Sequence, residues 1–90
     1  MEEREVIISN NKKVVVKEIK FKDSFSKETK DKIEKEGYQK TMLQLSTGLS
    51  DEEYNNLSQK DGLKLWKTYF VINEEDFQNP QTEVELLEQQ

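Results

Sequence analysis

The sequence predicts an α+β domain, an N-terminal β-hairpin packed on a small bundle of three to four helices. Three observations predict it. Two β-branched runs, Val6-Ile7-Ile8 and Val14-Val15-Val16, flank the pair Asn10-Asn11. The run Thr47-Gly48-Leu49-Ser50-Asp51-Glu52-Glu53 punctuates the chain with a helix end followed at once by a helix start. Residues 38–49 and 63–70 repeat apolar side chains at helical spacing.

The hairpin spans about residues 5–21. Asn tolerates positive φ, so Asn10-Asn11 suits the tight turn between the strands. In the second strand Val15, Ile19 and Phe21 share one face, interrupted by Lys17, and Val14 and Val16 share the other. One face packs on helices and the outer face is partly covered. A lone two-stranded hairpin is marginal, so it must pack on the helices or pair with another copy, and uncovered edges are open to a partner strand.

Asp23-Ser24-Phe25-Ser26 reads as a turn and helix start. The helix that follows, about 26–36, is almost entirely charged, with Ile33 its only large apolar residue. Glu–Lys pairs worth about 0.2–0.5 kcal/mol each would support it in solvent. Gly37 breaks it. Tyr38, Met42, Leu45 and Leu49 then form one stripe on a helix of about 38–47, ended by Gly48 in the left-handed conformation. Ser50 caps a short helix of about 51–56, and Glu53 completes a capping box. Leu49 and Tyr54 have the spacing of a hydrophobic staple, and the three acids of the first turn suit the helix dipole. Ser58 and Asp61, a weaker pair, open a last helix of about 59–73. On it Leu63, Trp66 and Phe70 share a face, flanked by Leu65 and Tyr69. Trp66 is assigned to the core, where truncation of an aromatic costs about 3–5 kcal/mol. One domain thus covers about 1–78. Asn79-Pro80 breaks the chain, and 79–90 is a flexible or partly helical tail with Thr82-x-x-Glu85 and the cluster Val84, Leu86, Leu87.

Composition narrows the chemistry. Of 90 residues 32% are hydrophobic and 37% charged, a balance near the border of disorder, so the clustering of apolar residues is what argues for a fold. There is no Cys and no His, which removes disulfides, thiolate ligands and the commonest general base. The adjacent carboxylates Glu52-Glu53 and Glu74-Glu75-Asp76 diverge by about 100° per residue on a helix and do not converge on a substrate. Asn73-Glu74-Glu75-Asp76 lacks the ligand alternation of a calcium loop. Gly37, Gly48 and Gly62 are too far apart to cradle a phosphate. The expectation is no enzyme, no cofactor and no metal. No apolar run reaches the roughly 18 residues of a membrane span, and Met1-Glu2-Glu3-Arg4 does not begin a signal peptide, so the expected place is the cytoplasm. The net charge of −5 divides unevenly: residues 1–40 carry 11 basic and 9 acidic side chains, residues 41–90 carry 3 and 10. Most of this charge reads as a solvated surface. It leaves open head-to-tail homo-oligomers or a basic partner, and it disfavours nucleic acid.

Residues 42–77 carry a resemblance. An apolar helix runs into Thr47-Gly48-Leu49-Ser50 and Asp51-Glu52-Glu53. Leu57-Ser58 and Asp61-Gly62 follow and open a long helix that ends in Val71-Ile72-Asn73 and Asp76-Phe77. This order and spacing resembles the tail assembly chaperones of long-tailed bacteriophages and prophages, except that Trp66-Lys67-Thr68-Tyr69-Phe70 is more aromatic than expected. The resemblance implies a non-enzymatic protein that binds the tape-measure protein and keeps it soluble while the tail tube assembles. It also implies a longer, frameshifted form that recruits the major tail tube protein, and a location in the host cytoplasm rather than the mature virion. It carries over no side chains. The apolar residues near the end of the chain, Phe77, Val84, Leu86 and Leu87, are the candidate protein-binding residues. Two alternatives stand beside it: a small acidic regulator or DNA mimic, and a structural head–tail or tail component.

Overall fold

The computed structural model describes residues 1–74. Strands β1 (Glu3–Ile8) and β2 (Lys12–Lys17) form an antiparallel hairpin in which Ile8 faces Lys12, Val6 faces Val14 and Arg4 faces Val16. Asn10 and Asn11 make the turn with φ of 61° and 57°, left-handed values that asparagine tolerates better than most side chains. Five helices follow: α1 (Phe21–Ser24), α2 (Lys27–Glu36), α3 (Tyr38–Thr47), α4 (Asp51–Asn55) and α5 (Gln59–Asn73). The architecture is α+β, as the sequence predicts. The helix beyond the expected count is the single turn α1.

The hairpin is shorter than expected. β2 stops at Lys17, so Ile19 and Phe21 lie outside the strand, and Phe21 is 80% exposed. The reason lies in the backbone bonding. The ladder's last step is Glu18 N–H to the Glu2 carbonyl. On the edge of β2 away from β1, side chains from the helices bond the backbone. Ser46 Oγ accepts from Lys17 N–H at 3.1 Å and donates to its carbonyl at 2.6 Å. Asn73 Oδ1 accepts from Ile19 N–H at 2.8 Å, and its amide donates to the Lys17 carbonyl at 3.3 Å.

Val6, Ile8, Val14 and Val16 form the buried face of the hairpin, while Ile7 lies 43% exposed on the outer face. α5 packs against both strands and α3, and α3 packs against β2. Met42, Leu43, Leu49, Leu65 and Tyr69 complete the core. Both helical faces are therefore rotated from their expected setting. On α3 the inward residues are Thr41, Met42, Leu43 and Ser46, whereas Tyr38 and Leu45 are exposed. On α5 they are Asp61, Leu65 and Tyr69, spaced by four, with Leu63 exposed and Trp66 and Phe70 only partly buried against the core.

The helix ends follow the sequence signals closely. Ser26 caps α2 through Thr29 N–H, and Gly37 (φ 96°, ψ 156°) separates α2 from α3 in a conformation open essentially to glycine alone. Gly48 ends α3 in the left-handed region, its N–H bonded to the Gln44 carbonyl at 2.7 Å. The capping box is complete, with Ser50 N–H to Glu53 Oε1 at 2.9 Å and Glu53 N–H to Ser50 Oγ at 3.1 Å. Leu49 is buried and Tyr54 partly buried against the same cluster, as a staple requires. α2 carries one internal ion pair, Lys27–Asp31 at 3.7 Å, and Lys40 ties Glu36 to Asp51 across the α2–α3–α4 junction. No helix among the described residues is long and apolar enough to cross a membrane.

Candidate functional site

A groove of about 470 Å³ runs between α1, the start of α3 and the end of α5. Ile19, Phe21, Phe25, Tyr38, Met42 and Tyr69 supply its apolar surface, and Glu18, Asn73 and Glu74 stand on its rim. Its volume falls within the usual range for a binding cleft. The floor is rigid because Met42 and Tyr69 belong to the core. The wall is different: Phe21 and Phe25 are 80% and 58% exposed and meet edge to face, with ring centroids 4.9 Å apart. Among the described residues nothing covers these two large aromatic rings, and they form an apolar patch of the kind that marks a contact surface.

Local bonding explains how so short a helix holds both rings outward. Asp23 N–H bonds to the Lys20 carbonyl, and Ser24 Oγ donates to the Phe21 carbonyl at 2.8 Å. Thr29, buried at the start of α2, donates its hydroxyl to the Asp23 carbonyl at 2.7 Å and accepts from Ser26 Oγ. α1 is thereby pinned to α2 by its backbone, and its side chains are left free.

At the rim, Tyr38 and Tyr69 both donate their hydroxyls to Oε2 of Glu74, the Tyr69 bond being 2.6 Å. Burial first, and the Glu74 carboxylate second, raise both phenols above the ordinary tyrosine range, so each remains a donor. Trp66 stacks on Tyr69 at 4.7 Å and meets Tyr38 edge to face at 6.5 Å. The aromatic cluster thus fixes the end of α5 over the groove. Lys20 and Lys22 flank Phe21, and among the described residues neither makes an ion pair.

A second cleft, between α2, α3 and α4, is lined mainly by polar side chains, among them Asp23, Glu28, Lys32 and Asp51. Thr41 Oγ1 and Gln44 Oε1 are buried beside it without a partner among the described residues. It lacks the aromatic wall of the first.

Of the five described acids of the second half, Asp51, Glu53, Asp61 and Glu74 are engaged with the fold. Asp61 is buried, and both its oxygens accept from Ser9 N–H at 3.3 Å. Instead of reaching back to Ser58, as a capping box would, it spans to the hairpin turn, while Ser58 Oγ still accepts from Asp61 N–H. The Ser9 bond is the main cause of its lowered pKa. Glu53 is lowered chiefly by the Ser50 N–H, and Asp51 chiefly by the Gln44 amide, then by Lys40. Among the described residues no three His, Cys, Asp or Glu side chains gather closely enough to hold a metal ion.

The candidate binding residues Phe77, Val84, Leu86 and Leu87 lie outside the described residues. What the sequence reading missed is the pair Phe21 and Phe25. One was assigned to the strand and the other to a turn, and the available signal was two phenylalanines four apart in a segment too polar to bury them. Compared with known proteins, the chain matches no family model, no curated protein and no solved structure.

Proposed function

We propose that this chain is a non-catalytic binding module that shields an apolar, helical client, and that the client is the tape-measure protein of a phage tail. The observation that carries the binding half is the Phe21–Phe25 wall, two exposed rings over a groove with a rigid floor. Exposed aromatic anchors beside a preformed pocket are the usual centre of a protein-binding surface. An amphipathic helix laid in the groove would set apolar residues at i, i+3 or i+4 and i+7 against Phe21, Phe25, Tyr38 and Ile19. The identity of the client rests on the resemblance of residues 42–77 to tail assembly chaperones, and so do the longer frameshifted form and the tail tube protein as a second partner. The acidic-mimic alternative is weakened by the engagement of Asp51, Glu53 and Asp61 within the fold, which leaves them poorly placed to imitate a phosphate row.

The reading requires a very long helical reading frame beside the gene. Co-expression with this chain should keep its product soluble. The double variant Phe21→Ser/Phe25→Ser should return that product to the pellet, with the variant's own circular dichroism unchanged. A client equally soluble, or equally insoluble, with and without the chain would overturn the assignment.

A further inference from the structure

The groove lies where the described chain stops. Asn73 and Glu74, the last described residues, form part of its rim. Sixteen residues follow, 75–90. Their chemistry complements the groove. They carry the apolar residues Phe77, Val84, Leu86 and Leu87. They also carry five acids (Glu75, Asp76, Glu83, Glu85, Glu88) and no Lys or Arg, against Lys20 and Lys22 beside Phe21, which make no ion pair among the described residues.

Distance is no obstacle. A chain reaches at most about 3.3–3.6 Å per residue, so Val84, ten residues past Glu74, can reach any point within roughly 33–36 Å of it. Tethering also favours a weak contact. A short linker presents its segment at about millimolar effective concentration. An intrinsic affinity near 0.1 mM would then close the groove in about nine molecules of ten and weaken a competing client about tenfold.

We propose that residues 82–88 of the same chain cover the Phe21–Phe25 groove in the free protein. Val84, Leu86 and Leu87 lie against the rings, Glu83, Glu85 and Glu88 lie beside Lys20 and Lys22, and a client must displace the segment. This rests on the reading of the groove as a docking surface, but its test uses no client, so the two fail separately.

The chain has no cysteine, so Gln89→Cys takes a single nitroxide in the full-length, 15N-labelled protein. Amide signals of Phe21, Phe25 and Tyr38 should broaden at least threefold more than those of Asn10 and Asn11 at the far end of the hairpin. Adding Leu86→Ser/Leu87→Ser should abolish that difference, and 0.5 M salt should reduce it. Uniform broadening, or selective broadening that survives the leucine substitutions, would overturn the proposal. So would equal broadening when the nitroxide sits on a separate, unlabelled copy, since the occupant would then be a second molecule. A contact indifferent to salt would refute the part assigned to Lys20 and Lys22.

Discussion

Leu63 and Leu65 stand two residues apart on α5 with the same side chain, yet Leu63 is 48% exposed and Leu65 is 0% exposed. Cutting each to alanine therefore measures which way the helix faces. Leu65 sits between the hairpin and α3, so Leu65→Ala removes its burial and leaves a cavity, a loss of about 2–5 kcal/mol. A domain of this size has roughly 5–13 kcal/mol in all, so the variant gives up a large share of it. Leu63→Ala changes a surface position and should cost no more than about 0.5 kcal/mol. In urea, with a slope of about 1 kcal/mol/M for a small domain, the midpoint should fall by roughly 2–5 M for Leu65→Ala and by under roughly 0.5 M for Leu63→Ala. Trp66→Ala, partly buried and stacked on Tyr69, should fall between them. Equal losses at 63 and 65, or a larger loss at 63, would refute the orientation of α5 and the core drawn from it.

Two further outcomes follow from the caps and carboxylates. Ser50→Ala should cost about 1 kcal/mol in chemical denaturation, and Glu53→Gln less, because Gln still accepts from the Ser50 N–H. Asp51, Glu53 and Asp61 all have folded pKa values below their ordinary ones. The stability they contribute is present above the unfolded carboxylate range and is lost as pH falls from about 4 toward the depressed folded values. Thermal scans between pH 7 and pH 2 should show that loss. Asp61→Asn should flatten it, because its amide oxygen can still accept from Ser9 N–H while no longer titrating.

The parts of the fold legible in the sequence are those set by neighbouring residues. Ser26, Gly37, Gly48, Ser50 and Ser58 mark helix boundaries to within a residue because capping is a contact over three or four positions. The Asn10-Asn11 turn is local in the same sense. What periodicity could not decide was which face turns inward. α5 carries Leu63, Leu65, Trp66, Tyr69, Phe70, Val71 and Ile72 around much of its circumference, so several stripes compete, and contact with the hairpin selects the one through Leu65 and Tyr69. On α3 the inward face includes Thr41 and Ser46, which a search for large apolar residues passes over. Ser46 is inside because its hydroxyl satisfies the backbone of Lys17. The strand is shorter than its pattern because alternation does not report pairing: Ile19 and Phe21 continue it, but Glu18 makes the ladder's last bond. As for the candidate site, its aromatic wall rests on a single helical turn, which is too short to leave a period.

The bonds that join α5 to the hairpin also set an order of events during synthesis. Ser9 to Asp61, Ile19 to Asn73 and Lys64 to Ile7 join residues 52, 54 and 57 positions apart. A hairpin by itself is marginal, and although α3 can pack on β2 once it is made, β1 has no helix against it until α5 has been made. At roughly 5–20 residues per second that interval is about 3–11 s. Through it the nascent chain exposes part of a β-branched face, and the hairpin waits on α5 to be fully covered.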